Sequence, residues 1–327
     1  GIPIRPLRLL SIASTLTMKP PFSFQVPGLD RFSRTKGASV LGLALDGHRL
    51  EGVVVRRTNG SATVAMSFVF ALSLDPLKDD LTFVGREIRK QLDAAGIRER
   101  RCVVALPLNW ILTLNTTLPE LPENDLASFL EITAERGFPY SPGALLVAHS
   151  RYRVASENPA ATLIAVPRDH VAHLESALRA AQLRPVSFSL GIAALQPAEA
   201  DSTDGVLALT PGETSIALQI TTGGGVALLR TVEDAFEQEG VERRLQLDHL
   251  IRELRITLGQ LPTPVRDSIR QVKVFGHNQQ AEELTAQLAP QLAEMALPGQ
   301  QITRYSPGSF KFQLPADLEV SSALSLA

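Results

Sequence analysis

The sequence has one cysteine, Cys102, among its 327 residues. A single cysteine excludes an intramolecular disulfide framework and any thiolate metal cluster, and it is typical of a chain from a reducing compartment. Cys102 lies within an apolar stretch, which favours a small buried hydrophobe over a reactive thiol.

An excess of charge of one sign is also lacking. Lys and Arg total 32 against 34 for Asp and Glu, a formal charge of -2, so no overall positive field attracts nucleic acid or anionic lipid.

No apolar run approaches the roughly 20 residues that a membrane-spanning helix needs. At 44% apolar and 20% charged residues the composition is that of a globular chain. At about 150 residues per domain its length predicts roughly two domains, or one large domain with insertions.

Recognisable hydrolase, P-loop and zinc-peptidase motifs are absent from the sequence. His170 and His173, with Glu175 nearby, invite a metal interpretation, but no third ligand shares their helical face. We favour a solvated first helical turn capped by Asp169. The run of glycines at 223–225 joins two strands, so it predicts a hairpin turn and not a phosphate-binding loop.

The beginning of the chain has two interpretations. Arg5 and Arg8 precede a short apolar stretch, 9–16, that is typical of a weak secretory signal. The favoured alternative is a leader ahead of a start at Met18, or a tail with no fixed fold. Residues 19–36 contain three prolines and predict a linker.

The first half of the chain predicts a three-stranded meander, a helix and a further strand. Residues 39–45 form a continuous apolar run, 49–56 follow it, and an Asn-Gly turn at 59–60 leads into 62–72. Asp79 or Asp80 caps a helix that stops at Gly96, and 102–107 form the next strand.

The same order recurs in the second half, which indicates an internal duplication. Strands are predicted at 205–210, 214–221 and 226–231, a helix at 245–260 and a strand at 269–276. On the helical pattern, Arg243, Arg244, Arg252 and Arg255 lie near acidic residues as a solvated charged face. Between the halves, 113–190 predict two helices over an antiparallel sheet, an α+β unit.

The meander–helix–strand order, its recurrence and the inserted α+β unit resemble the actin-like ATPase superfamily. Within it the chain is similar to the PilM family of type IV pilus assembly platforms, which is related to the cytoplasmic part of GspL in type II secretion and to FtsA. The resemblance covers about 38–327. It rests on six short segments: Leu41–Leu43, Val104–Pro107, Leu118–Pro122 leading into 126–139, Leu163–Pro167, Gly205–Gly212 and Ser321–Ala327.

The resemblance implies a nucleotide site, and the chain departs from that site at several positions. Ala44 stands where the family has Asp, Glu51 where it has Lys, and Thr210 where it has a second Asp. Losing an oxygen ligand and reversing a charge both weaken the binding of ATP and magnesium. His277 replaces a glycine of the adenosine-side pair and adds bulk there. The positions that remain of this site are Gly42, Asp46, Gly212, Thr214 and Gly276.

The predicted fold class is therefore α/β, with duplicated actin-like (ribonuclease H-like) lobes and an inserted α+β subdomain. We divide the chain into a flexible leader and linker (1–37), a first lobe (38–112), the inserted subdomain (113–190), a return helix of the first lobe (191–202) and a second lobe (203–327).

The resemblance implies a cytoplasmic scaffold at the inner face of the bacterial inner membrane, in a type IV pilus or type II secretion platform, and the departures at the nucleotide site favour a non-enzymatic one. It would bind the short cytoplasmic amino-terminal segment of a PilN-type membrane protein in a groove beside the inserted subdomain, which we place at 113–140. We expect other platform proteins and further copies of the chain as partners. We expect no nucleic-acid partner, no metal and no required ATP cofactor. Two alternatives stay open: an ATP-binding ATPase or kinase with a non-standard site, and an actin-like filament former.

Overall fold

The computed structural model describes residues 23–24, 39–58, 61–154, 158–199, 202–239, 242–276, 278–294, 301–304 and 323. The predicted turn residues Asn59 and Gly60, His277 and most of 321–327 lie outside this part, as do residues 1–22 and 25–38. Only Ala323, which is buried, represents the last of these segments.

The first lobe is built on a six-stranded sheet. Its elements are β1 (Ser23–Phe24), β2 (Ser39–Asp46), β3 (Arg49–Thr58), β4 (Ser61–Ala71), α1 (Leu81–Ala94), β5 (Arg101–Leu106), a 3-10 turn (Leu108–Trp110), α3 (Arg168–Ala180), β9 (Arg184–Leu190) and α4 (Gly191–Leu195). The sheet order is β1-β9-β5-β2-β3-β4. β2, β3 and β4 form the antiparallel meander, while β5 and β9 run parallel to β2. β2 reads as a continuous apolar run because both of its faces are covered.

The inserted unit is smaller than the sequence predicts. It consists of β6 (Leu112–Thr117), α2 (Glu123–Gly137), β7 (Leu145–Tyr152) and β8 (Ala160–Pro167), with the sheet order β6-β8-β7. The prediction for 113–190 also included α3 and β9, and this part was wrong. β9 pairs with β5 in the large sheet, and α3 packs against α1.

The second lobe repeats the first. Its elements are β10 (Gly205–Pro211), β11 (Ile216–Thr222), β12 (Gly225–Val232), β13 (Phe236–Glu239), β14 (Glu242–Leu245), α5 (Leu247–Gln260), α6 (Thr263–Ser268), β15 (Ile269–Val274), α7 (Asn278–Glu294) and β16 (Gln301–Arg304). The sheet order β12-β11-β10-β15-β16 again joins a meander to two parallel strands. The predicted duplication is confirmed, with β15, α7 and β16 corresponding to β5, α3 and β9.

Two local predictions were wrong. Arg243 and Arg244 lie in β14, which pairs with β13 as a short hairpin, and not on the helix, which begins only at Leu247. Ser23–Phe24, assigned to the flexible leader, pair with β9. The predicted hairpin at 223–225 is confirmed: Gly223 and Gly224 have φ values of 54° and 81°, as a tight turn between β11 and β12 requires.

Helix α1 shows how the sequence determines the packing of the first lobe. The Asp80 carboxylate accepts the backbone N–H groups of Thr82 and Phe83 and so caps the helix. Val84, Ile88 and Leu92 recur every four residues and are fully buried against the sheet. Each such side chain contributes roughly 1.5–3 kcal/mol when it leaves water.

The two lobes share a core. Ala208, Val226, Leu229 and Phe275 of the second lobe belong to the same buried cluster as the apolar side chains of β2, α1, β5 and α3. A second cluster fills the rest of the second lobe, and a small one lies between α2 and strands β6 and β8. Among the described residues no helix combines the length and the apolar character needed to cross a bilayer.

Two helical glycines should respond oppositely to the same substitution. A Cβ on Gly85 of α1 would lie 2.4 Å from the Cβ of Ala180, whereas a Cβ on Gly259 of α5 would meet nothing within 4 Å. We expect Gly85→Ala to lower the free energy of unfolding by about 1–3 kcal/mol through overpacking. Gly259→Ala should raise it by about 0.5–1 kcal/mol. Urea unfolding of both variants checks this. A change of the same sign in the free energy of unfolding of both variants would contradict the described packing of α1 on α3.

Candidate functional site

The cleft between the lobes contains the residues that the resemblance marks as a nucleotide site. It lies where the turn between β2 and β3 approaches the turn between β10 and β11, and its cavity volume is about 120 Å³. Ligand pockets for molecules of drug size usually measure about 300–1,000 Å³, so this one is small. Its lining includes Ala44, Asp46, Arg49, Glu51, Leu190, Gly191, Thr210, Gly212 and Gly276.

Asp46 joins the two turns directly. Its carboxylate accepts a hydrogen bond from the backbone N–H of Glu213, which lies 167 positions further along the chain. A Cβ on Gly212 would come within 2.8 Å of Asp46 Oδ2, so a larger residue there would push the Asp46 carboxylate away from the turn. The carboxylate of the first lobe therefore rests against the backbone of the second.

Arg243 holds the second turn from its other side. Its guanidinium donates a hydrogen bond to the carbonyl oxygen of Gly212 and stacks over the ring of Phe236, 3.4 Å from the ring centroid. Burial lowers the pKa of Arg243 to about 10, while Asp46 and Glu213 counteract that fall. Arg243 thus remains cationic at neutral pH, beside the Asp46 carboxylate.

Glu233, just after β12, adds a third carboxylate to this region. Burial raises its pKa, and the negative charges of Asp234 and Asp46 raise it further. The negative charge of Asp46 therefore acts on Glu233 as well as on Arg243.

Three of the five predicted nucleotide-site positions line the cleft, and two do not. Asp46, Gly212 and Gly276 line it, and the φ of 132° at Gly276 favours glycine. Gly42 is buried within β2, between Val53 and Val103 on the neighbouring strands. Thr214 is exposed, and its carbonyl accepts the N–H of Phe236.

The residues present do not fit ATP with magnesium. Ala44, Glu51 and Thr210 line the cleft, and Ala44 pairs directly with Glu51 across β2 and β3. The N–H of Glu213, a donor that a phosphate oxygen could have used, is already bonded to Asp46. A phosphate group placed between the turns would meet the carboxylates of Asp46 and Glu51 as well as Arg49, and it would have to displace Asp46 from the Glu213 N–H.

Sequence reasoning missed Arg243, Phe236 and Glu213. Arg243 is 31 positions from Gly212 and was assigned to a helix, so no spacing rule connects the two residues. No alternation of apolar and polar residues marks the hairpin, because Phe236 and Leu245 are the only apolar residues of its two strands.

The inserted unit packs on the second lobe through its polar side chains. Thr113, Asn115 and Thr162 donate hydrogen bonds to backbone carbonyls of β12, and the N–H of Val226 donates to the Ser150 hydroxyl. Strand β6, which belongs to the predicted partner groove at 113–140, therefore already contacts the second lobe of the same chain. Exposed apolar side chains remain at Leu121, Ile132, Tyr140 and Val147, on α2, its flanks and β7.

Two further predictions concern possible reactive groups. Cys102 is buried, as predicted, and desolvation raises its pKa to about 12. No cluster of three or more metal ligands occurs within the described ranges. The predicted Asp169 cap was wrong, because α3 begins after Pro167 without a side-chain cap. His170 instead packs edge-on against Trp110, and Glu175 bonds Arg179.

Two lobes of the same meander–helix–parallel-strand topology, facing each other across a cleft bounded by paired hairpin turns, define the actin-like fold. No protein-family model matches the sequence, and no curated protein matches it. Among solved structures, the PilM–PilN type IV pilus biogenesis complex matches with a TM-score of 0.66 at 18% identity, over 88% of this chain and 97% of that one. The chain therefore has an actin-like fold of the PilM type.

Two other solved structures match at lower TM-scores. The cytoplasmic domain of EpsL, an inner-membrane component of the type II secretion system of Vibrio cholerae, has a TM-score of 0.49 at 10% identity, over 88% of this chain and 92% of its own. A protein of unknown function with an actin-like ATPase fold from Bacteroides thetaiotaomicron has a TM-score of 0.46 at 12% identity, over 82% and 90%.

Removing the Asp46 carboxylate should loosen the contact between the two turns. In Asp46→Ala we expect the Glu213 amide to exchange with deuterium about tenfold faster, because its hydrogen-bond acceptor is gone. Hydrogen exchange measured by mass spectrometry over 210–216 checks this. Asp46→Asn is the matched control, since it retains an acceptor oxygen and should give a smaller change. Unaltered exchange in the alanine variant would contradict the described bond.

Glu233 should make stability depend on pH. A raised pKa means that the folded protein binds this proton more tightly than the unfolded chain, so the contribution favours folding at low pH and is lost as pH rises through the raised value. Glu233→Gln should therefore raise the midpoint temperature of thermal unfolding at pH 8 and leave it almost unchanged near pH 4. Glu120→Gln, a change at an exposed glutamate outside the cleft, is the control. A gain for Glu233→Gln that is larger at pH 4 would contradict this sign.

Proposed function

We propose that the chain is a nucleotide-independent, PilM-like scaffold of a type IV pilus or type II secretion assembly platform. The observation that carries the proposal is the match to PilM over nearly the whole of both chains, combined with a cleft in which Asp46 already bonds the opposing turn. The first part supports the platform role, and the second supports independence from ATP.

The partner that we propose is the cytoplasmic amino-terminal segment of a PilN-type membrane protein. The similar structure is that of a PilM–PilN complex. On this chain the inserted unit offers exposed apolar side chains at Ile132 and Val147, of which 48% and 38% are accessible. A short apolar segment could bury such side chains beside the first lobe. Through that partner the chain would be held at the cytoplasmic face of the inner membrane, alone or as a homo-oligomer.

Calorimetry with a synthetic PilN-type amino-terminal peptide tests the partner. We expect saturable binding to the wild-type chain and at least about tenfold weaker binding to Val147→Asp, because a charge on β7 disrupts an apolar contact. Ile256→Asp is the matched control: Ile256 is similarly exposed but lies on α5 of the second lobe. Absence of binding by folded wild-type protein would count against this partner.

The same preparation tests nucleotide independence. At physiological salt we expect no tight binding of ATP with magnesium, because the carboxylates of Asp46 and Glu51 face the site. Tight magnesium-dependent binding, or ATP turnover that one point mutation abolishes, would support the enzymatic alternative. Polymers in electron micrographs of the purified protein would support the filament alternative.

A further inference from the structure

The chain adds a strand to its own large sheet from a segment that precedes the first lobe. β1 pairs antiparallel with β9, with Ser23 opposite Ser189 and Phe24 opposite Phe188. β1 also lies against β7 of the inserted unit. These two residues therefore lie between the edge of the first-lobe sheet and the inserted subdomain.

The position of β1 along β9 follows from the chemistry of that edge. Pro185 has no N–H to offer, and the pairing with β5 shifts so that Val186 is an extra, bulged residue. Both features protect an edge against added strands. The next four residues, Ser187–Leu190, carry neither proline nor charge. β1 occupies this unprotected part.

The pairing of β1 with β9 involves only two residues, so another extended segment can replace β1. It offers few backbone hydrogen bonds, while ordering each residue costs about 1–2 kcal/mol of conformational entropy. The 14 residues between Phe24 and Ser39 keep the segment close to β9, with an effective concentration on the order of millimolar. A longer extended segment from another molecule could form more bonds along the same edge and contact β7 as well.

We propose that the Ser187–Leu190 edge of β9, beside β7, is a strand-addition site that the chain's own Ser23–Phe24 occupies in cis, and that a partner's extended segment binds by displacing it. The identity of this partner rests on the function proposed above; the cis occupancy does not. The site is continuous with the interlobe cleft, because Leu190 and Gly191 also line that cleft.

A cross-link in the full chain tests the cis pairing. Ser23→Cys combined with Ser189→Cys places two thiols at directly paired positions, where Cα atoms of antiparallel strands are about 4.5–5.5 Å apart and a disulfide can close. Ser23→Cys with Ser187→Cys is the matched control, two residues along the same strand. Cys102 does not interfere, because it is buried with a raised pKa. We expect the first pair to oxidise at least about tenfold faster, and equal rates would overturn the proposal.

Peptide binding to the same chain tests displacement. Full-length Ser23→Pro, Phe24→Pro should lose the cis strand, because proline removes the N–H groups. We expect a labelled synthetic peptide of residues 19–30 to bind this variant. The oxidised Ser23→Cys, Ser189→Cys chain should bind it at least about tenfold more weakly, and reduction should restore binding. No binding by the folded proline variant would overturn the site.

A PilN-type amino-terminal peptide then separates this inference from the proposed function. If it binds the proline variant about tenfold more tightly than wild type and competes with the labelled peptide, the cis segment regulates the partner's site. Binding unaffected by the cross-link would overturn that regulation. If the labelled peptide binds and the PilN-type peptide binds neither form, the strand-addition site stands and the proposed partner is wrong.

Discussion

The contact between Asp46 and the backbone of the opposite turn is the interaction on which the arrangement of the cleft depends. Each lobe ends a buried strand in a tight turn, and the carboxylate of one turn accepts the N–H of the other. Gly212 allows this approach, and Arg243 fixes the carbonyl on its far side. A carboxylate thus satisfies a backbone donor that in a nucleotide-binding protein could serve a phosphate, since both groups are anions that accept from backbone N–H.

Much of the fold could be predicted because its elements have strong local signals. β2 and β10 are uninterrupted apolar runs ending in turn residues, and Asp80 marks the start of α1. The repetition of one element order then indicated two lobes. The division near residue 167 could not be predicted, because α3 and β9 have the same patterns as elements of the inserted unit. Only strand pairing, a non-local property, assigns β9 to the large sheet.

Several residues that line the candidate site could be predicted from the sequence, but the contacts between them could not. Comparison with a family pattern identified Ala44, Glu51 and Thr210 as departures, and all three line the cleft. The pattern could not show that Asp46 contacts Glu213, because a contact between positions 167 residues apart has no signature in one sequence. Arg243 was missed for a related reason. A strand of four residues is too short to show the two-residue alternation that distinguishes a strand from a helical turn.

The glycines of the β11–β12 turn have a mechanical consequence. Any side chain at Gly223 or Gly225 would collide with the backbone of Arg153 or Arg151, so main chain packs on main chain where the inserted unit meets the second lobe. The second lobe is therefore held at three places: by the inserted unit here, and by the first lobe through the shared core and the Asp46 contact. Rotation of the second lobe away from the rest of the chain would disturb all three contacts at once.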